Sequence, residues 1–181
     1  MLTVFCSSFR SLLLKMSAGL SKPDVPKLSS TVCGIFKEGK PEKIKSFLQG
    51  LLLDERDAIL HGCILEFDLG PPGLPTLLFT PLSHAAYFGH KDVVRLLVED
   101  YSVDVDFAFN ITALAAAAGR GHLDIVKCLV TQGCDVNIIT LGGFTAISVS
   151  CNYGQLEVAQ HLHKNGAPID IPDEHGVTCL I

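Results

Sequence analysis

Reactive side chains are present in the 181-residue chain, which holds seven cysteines and seven histidines. Cys151 with His84 would make a nucleophile and a base. Such a pair needs a thiol in an electropositive, exposed setting, and both residues sit in small-residue, apolar stretches that read as core. The GRGH segment at residues 119–122 offers two glycines of a phosphate cradle. It lacks the third glycine and the preceding strand that a dinucleotide fingerprint requires. His161 and His163 lie two apart in a helical pattern, so they point to different faces and cannot share a metal ion. The cysteines, at positions 6, 33, 63, 128, 134, 151 and 179, form no CxxC pair. Their odd number and irregular spacing fit neither a disulfide framework nor a zinc site. They read as small buried hydrophobes in a reducing compartment, the cytoplasm or nucleus. We therefore expect no catalytic residues, no metal and no cofactor.

The elements that would have to position such residues explain them better. Thr80, Thr112, Thr145 and Thr178 are spaced by 32, 33 and 33 residues. Nine residues after the first three come Gly89, Gly121 and Gly154, each followed by an amphipathic run: HKDVVRLLV, HLDIVKCLV and QLEVAQHLH. Val93, Val94, Leu96 and Leu97, then Ile125, Val126, Cys128 and Leu129, recur at the spacing of one helical face. Between each Thr and Gly lie TPLSHAAYF, TALAAAAGR and TAISVSCNY, short, rich in small residues and nearly uncharged. They predict inner helices able to approach one another closely. Each Thr is placed to cap its helix, and Pro81 stands where a first-turn proline is tolerated. Turn residues and a short extended piece follow each second helix, in SVDVD, GCDVN and GAPID.

These features resemble the ankyrin repeat: its period, TPL-type start, alanine pair, Gly-His hinge and G-x-D-V-N ending appear in order over residues 80–181. The resemblance implies an all-α solenoid of stacked helix-turn-helix units with projecting hairpin loops. The copies are residues 80–111, 112–144 and 145–177, with residues 178–181 opening a truncated fourth. Two departures stand out. The first copy carries one extra turn residue between Val98 and Asp106. The family histidine that ties one loop to the next is replaced by Ser83, Ala115 and Ser148, which implies lower local stability.

Upstream, residues 31–53 read as a diverged N-terminal capping repeat. Gly39 is its hinge, Ile44, Phe47 and Leu48 are its core, and Lys37, Lys40, Lys43 and Lys45 form its solvated face. Residues 54–79 read as a helical extension followed by a long loop, in which Pro71, Pro72 and Pro75 preclude regular pairing. Residues 1–30 contain basic but few acidic side chains and read as a disordered leader and linker, or as an upstream start before Met16. The solenoid ends abruptly, without the polar cap such arrays need, which implies a fragment or a truncated product.

In a solenoid of this kind, function falls to surfaces. The positions before the hinge glycines, Tyr87, Phe88, Arg120, Asn152 and Tyr153, are candidate partner-binding residues, since Tyr and Arg are favoured anchors. The hairpin tips hold apolar residues where polar ones are expected: Phe107, Phe109, Ile138, Ile139, Leu141 and Phe144. These offer a second candidate ridge for a protein or peptide, or else pack between neighbouring hairpins. A net charge of −5 without a basic patch argues against nucleic acid and anionic membrane.

Within the ankyrin proteins, three segments are similar to the Fem (feminisation) family of substrate receptors for cullin ubiquitin ligases. These are TVCGIFKEGKPEKIKSFL at the amino end, TPLSHAAYFGHKDVVRLLVEDY after an interrupted spacer, and residues 152–181 ending in HGVTCLI. The likeness implies substrate recognition, with cullin-adaptor contact only if the chain continues beyond Ile181. Family acids that grip a terminal arginine have no counterpart here: Tyr153 stands in one position, and the hairpin carrying the other is shortened to FAFNI. The alternative is a stand-alone ankyrin scaffold or competitor without a link to ubiquitination.

Overall fold

The computed structural model describes residues 32, 34–51, 53–62, 65–67, 77–108, 110–140, 142–172 and 178–179. The leader, the three prolines of the insertion, Phe109, Leu141 and the tip at residues 173–177 lie outside them.

Three copies of a helix pair stack in order. The inner helices are α3 (Pro81–Tyr87), α5 (Ala113–Arg120) and α7 (Ala146–Asn152). The outer helices are α4 (Lys91–Arg95, extended by a π-helical turn at Leu96–Asp100), α6 (Leu123–Thr131) and α8 (Leu156–Lys164). Before them come α1 (Pro41–Gln49) and α2 (Leu53–Gly62). Inner helices pack on inner helices, outer on outer, and α1 packs on α4 while α2 packs on α3. The all-α ankyrin solenoid expected from the sequence is the fold observed.

Small residues explain the inner row. Ala113, Ala115, Ala116, Ala117 and Ala118 of α5 are all buried, so the backbones of α3 and α7 can close on both sides of it. Gly119 shows the limit of that approach: a Cβ there would lie 2.7 Å from Val149 Cγ1 of α7. The outer helices contribute one apolar face each, with Val93, Val94 and Leu97, then Ile125, Val126 and Leu129, then Val158 and Leu162 in the core. At the amino end Ile44 and Leu48 are buried and Phe47 is partly so, while Lys37, Lys40 and Lys43 face solvent. Lys45 instead reaches forward to Asp100, 3.0 Å away.

Each hinge glycine has the left-handed conformation that favours Gly: φ is 63° at Gly39, 77° at Gly89, 76° at Gly121 and 69° at Gly154. The helix starts differ from expectation. Thr80, Thr112 and Thr145 each accept a hydrogen bond from the backbone three residues on. Ser83 and Ser148, which replace the family histidine, return a bond to the threonine N–H and so close a reciprocal capping box. Only the copy with Ala115 lacks it.

The extra residue of the first copy is absorbed at a helix end. In the later copies a left-handed glycine (Gly133, φ 85°; Gly166, φ 93°) turns the chain, and an N–H returns five residues, from Cys134 to Leu129 O and from Ala167 to Leu162 O. In the first, Ser102 takes the left-handed role at φ 50°, and Val103 N–H returns six residues to Leu97 O at 3.1 Å. The π-helical turn holds the additional residue.

The insertion is not the unpaired loop expected from its prolines. β1 (Leu65–Phe67) and β2 (Leu77–Phe79) pair antiparallel, with Leu65 opposite Phe79 and Phe67 opposite Leu77. The hairpin leads directly into the Thr80 cap, and Phe79 is buried under α3.

Candidate partner-binding surface

The carboxyl ends of the inner helices carry a stripe of large side chains on an otherwise small-residue surface. Tyr87 is half-buried and held by rings on two sides, Phe79 at 5.2 Å and Phe88 at 5.1 Å between centroids, both edge-to-face. Phe88 lies against His84 at 4.6 Å and stacks near His90 at 6.3 Å. On the third side of Tyr87 sits the exposed guanidinium of Arg120, 4.8 Å from the ring centroid. Tyr153 is 70% exposed, and its ring passes 3.5 Å from where a Gly119 Cβ would stand.

One rule generates this geometry. The residue just before each hinge glycine leans over the residue two before the hinge glycine of the preceding copy. Arg120 thus covers Tyr87, and Tyr153 covers Gly119. Glycine at 119 leaves room for the aromatic ring, so Tyr153 rests on backbone instead of being displaced outward. Asn152, also exposed, follows on α7.

The residues after the hinges tie the copies together beneath this stripe. His122 Nε2 lies 3.2 Å from the Tyr87 carbonyl oxygen. A carbonyl only accepts, so the proton is on Nε2. Gln155 Nε2 donates to the Gly119 carbonyl at 3.5 Å. His122 also stands where a Cβ on Gly89 would be, at 2.8 Å. The carbonyls of Tyr87 and Gly119 are therefore satisfied from inside the stack.

The hairpin ridge is less exposed than its composition implies. Phe107, Ile138 and Phe144 are half-buried, and Ile139, at 58%, is the exposed apolar side chain among the described tips. Thr140 N–H donates to Phe144 O at 2.7 Å and closes the second tip. Phe109 and Leu141 lie outside the described residues.

Of the residues considered for chemistry, His84 is buried, Cys151, His122 and His161 are partly buried, and His163 is exposed. His84 has no exposed surface, and burial, with the basic side chains of His90 and Lys37 nearby, pulls its pKa down to about 4. Burial and the hydrogen bond to Cys151 push the Cys179 thiol up to about 12, and burial does the same to Cys134. Thiols so placed are poor nucleophiles. His161 and His163 have separate partners, Asn165 and the Ala167 carbonyl. Among the described residues no three His, Cys, Asp or Glu side chains gather as a metal site would need. None of the described helices is long and apolar enough to cross a membrane.

Exposed Leu156 (62%) was not anticipated from the sequence. It borders an open groove of about 350 Å³ lined by Gly121, Leu123, Gly154, Gln155, Glu157 and Val158. Its position at the first turn of an amphipathic helix reads as core, because Leu123 is partly buried at the same place in the preceding copy.

Similarity to known proteins agrees with the architecture. The chain is 42% identical over 67 residues to alpha-latrotoxin-Lh1a of Latrodectus hasselti, spanning 37% of the chain and 5% of the toxin. It is 32% identical over 102 residues to ankyrin repeat and KH domain-containing protein mask-1 of Caenorhabditis elegans, 55% of the chain and 4% of that protein. Over 73 residues it is 41% identical to mouse ankyrin repeat and SAM domain-containing protein 6, 39% of the chain and 8% of the relative. The chain spans less than a tenth of the length of each. The family profile of ankyrin repeats in three copies matches residues 40–140 and 82–173. With the stacked helix pairs, left-handed hinges and threonine caps described above, this match shows that the chain belongs to the ankyrin-repeat family.

Proposed function

We propose that the chain is a non-catalytic module that binds a protein or peptide across the inner-helix ends, at Tyr87, Phe88, Arg120, Asn152 and Tyr153. The observation that carries this reading is the exposed pair Arg120 and Tyr153, seated over Tyr87 and Gly119 on the preceding copy. Arg120→Ala and Tyr153→Ala should each reduce the set of proteins captured by the tagged chain, with helicity by circular dichroism unchanged. Capture unaltered by both substitutions would move the site to the hairpin ridge at Ile139. Free thiols at Cys128, Cys134 and Cys151 support a reducing compartment, cytoplasm or nucleus.

The narrower reading, a Fem-like substrate receptor of a cullin ubiquitin ligase, rests on the sequence likeness of the cap and of residues 175–181. It requires a cullin adaptor among the captured proteins when the full-length gene product is the bait. The stand-alone scaffold requires the same Arg120- and Tyr153-dependent capture with no adaptor present.

A further inference from the structure

We infer that the stripe binds an extended peptide segment with an internal Asp or Glu side chain, taken by Arg120, flanked on each side by an apolar side chain. This inference rests on the partner-binding reading of the same stripe. Helices α3, α5 and α7 contain no Asp, Glu or Lys, and Arg120 is their one guanidinium. The other cations near the repeat stack are mostly matched: Lys40 and Lys43 to Glu38, Lys45 to Asp100, Lys91 to Asp124 and Arg95 to Glu99. Arg120 has no ion pair among the described residues, and its recorded partner is the Tyr87 ring. A guanidinium seated with its carbon over a ring can still direct N–H groups to a carboxylate. A guanidinium without an ion pair among the described residues is complementary, locally, to an acidic group.

The neighbours of Arg120 set the rest of the ligand. The equivalent positions one copy before and one copy after are Phe88 and Tyr153, both aromatic. The cation is therefore central, and a ligand must continue past it in both directions, which favours a side-chain carboxylate over a terminal one. Packed helices stand about 8–10 Å apart. An extended chain advances about 3.3 Å per residue, so apolar side chains are needed about three residues on either side of the acid.

The test is selection of linear random dodecapeptides, displayed both internally and with a free carboxyl terminus, on the intact 181-residue chain. A consensus peptide is then synthesised and its affinity measured by fluorescence anisotropy. We expect an acid with apolar residues about three positions away on each side. R120Q should weaken the consensus peptide roughly tenfold or more, while K127Q, on the outer helix α6, leaves it within roughly twofold. Replacing the peptide's Glu by Gln should weaken wild type equally and have no further effect on R120Q. Selected peptides that lack an acid, carry it only at a free terminus, or bind R120Q normally would overturn the inference. If those peptides still lose affinity with Y153A, the partner-binding reading stands without it. Recovery of no peptide sensitive to either R120Q or Y153A overturns both.

Discussion

A buried histidine sets the pH response of single residues in this protein. His84 is neutral in the fold down to about pH 4, whereas in the unfolded chain it protonates near pH 6.5. Above pH 6.5 both states are neutral and nothing is lost. As pH falls from 6.5 towards 4, the unfolded state binds the proton first, and stability declines by a total of about 3 kcal/mol. Urea unfolding at pH 7 and pH 4.5 should show this decline, and His84→Leu should flatten it relative to wild type. An equal slope in the variant would assign the acid sensitivity to other groups. His84 was legible in the sequence as core because it stands among Ala and Leu, whereas Cys151, read the same way, is only partly buried. The stacking of Arg120 on Tyr87 was not legible, since it depends on which residue of one copy lies over which residue of the one before.

Helix starts differ among the copies through one hydroxyl. Ser83 and Ser148 complete capping boxes with Thr80 and Thr145, and Ala115 leaves Thr112 with a single bond. Ala115→Ser should therefore stabilise the protein, by about 0.5–1 kcal/mol, read as a higher urea midpoint with an unchanged slope. A lower midpoint would mean that this fully buried position of α5 has no room for an oxygen. The serines that replace the family histidine thus secure the start of their own helix, not a tie to the next loop. The β1–β2 hairpin was hidden for a different reason. Three-residue strands show no usable alternation, and their pairing joins segments about a dozen residues apart across a proline-rich connection.

Across the whole molecule, stability is the sum of copies and the ties between them. Asp106 accepts from the backbone N–H of Asp135 at 3.0 Å, joining the first loop to the second. The equivalent bond from the second loop to the third would run from Pro168 to Asn137, and proline has no N–H to donate. The third copy should therefore open more readily. Hydrogen exchange measured by mass spectrometry should show α8 amides exchanging faster than those of α6, and equal protection would show that helix packing alone couples the copies. The period, the caps, the hinge glycines and the apolar faces were all determined by the sequence alone. Each depends on residues within one copy, where 3.6-residue periodicity and left-handed glycine act locally. Tertiary structure decided how each surface side chain is seated on the copy before it. Whether Arg120 stacks, whether Tyr153 finds the gap at Gly119 and whether a hairpin tip is covered depend on the lateral register between copies, which is set by the close approach of three inner helices.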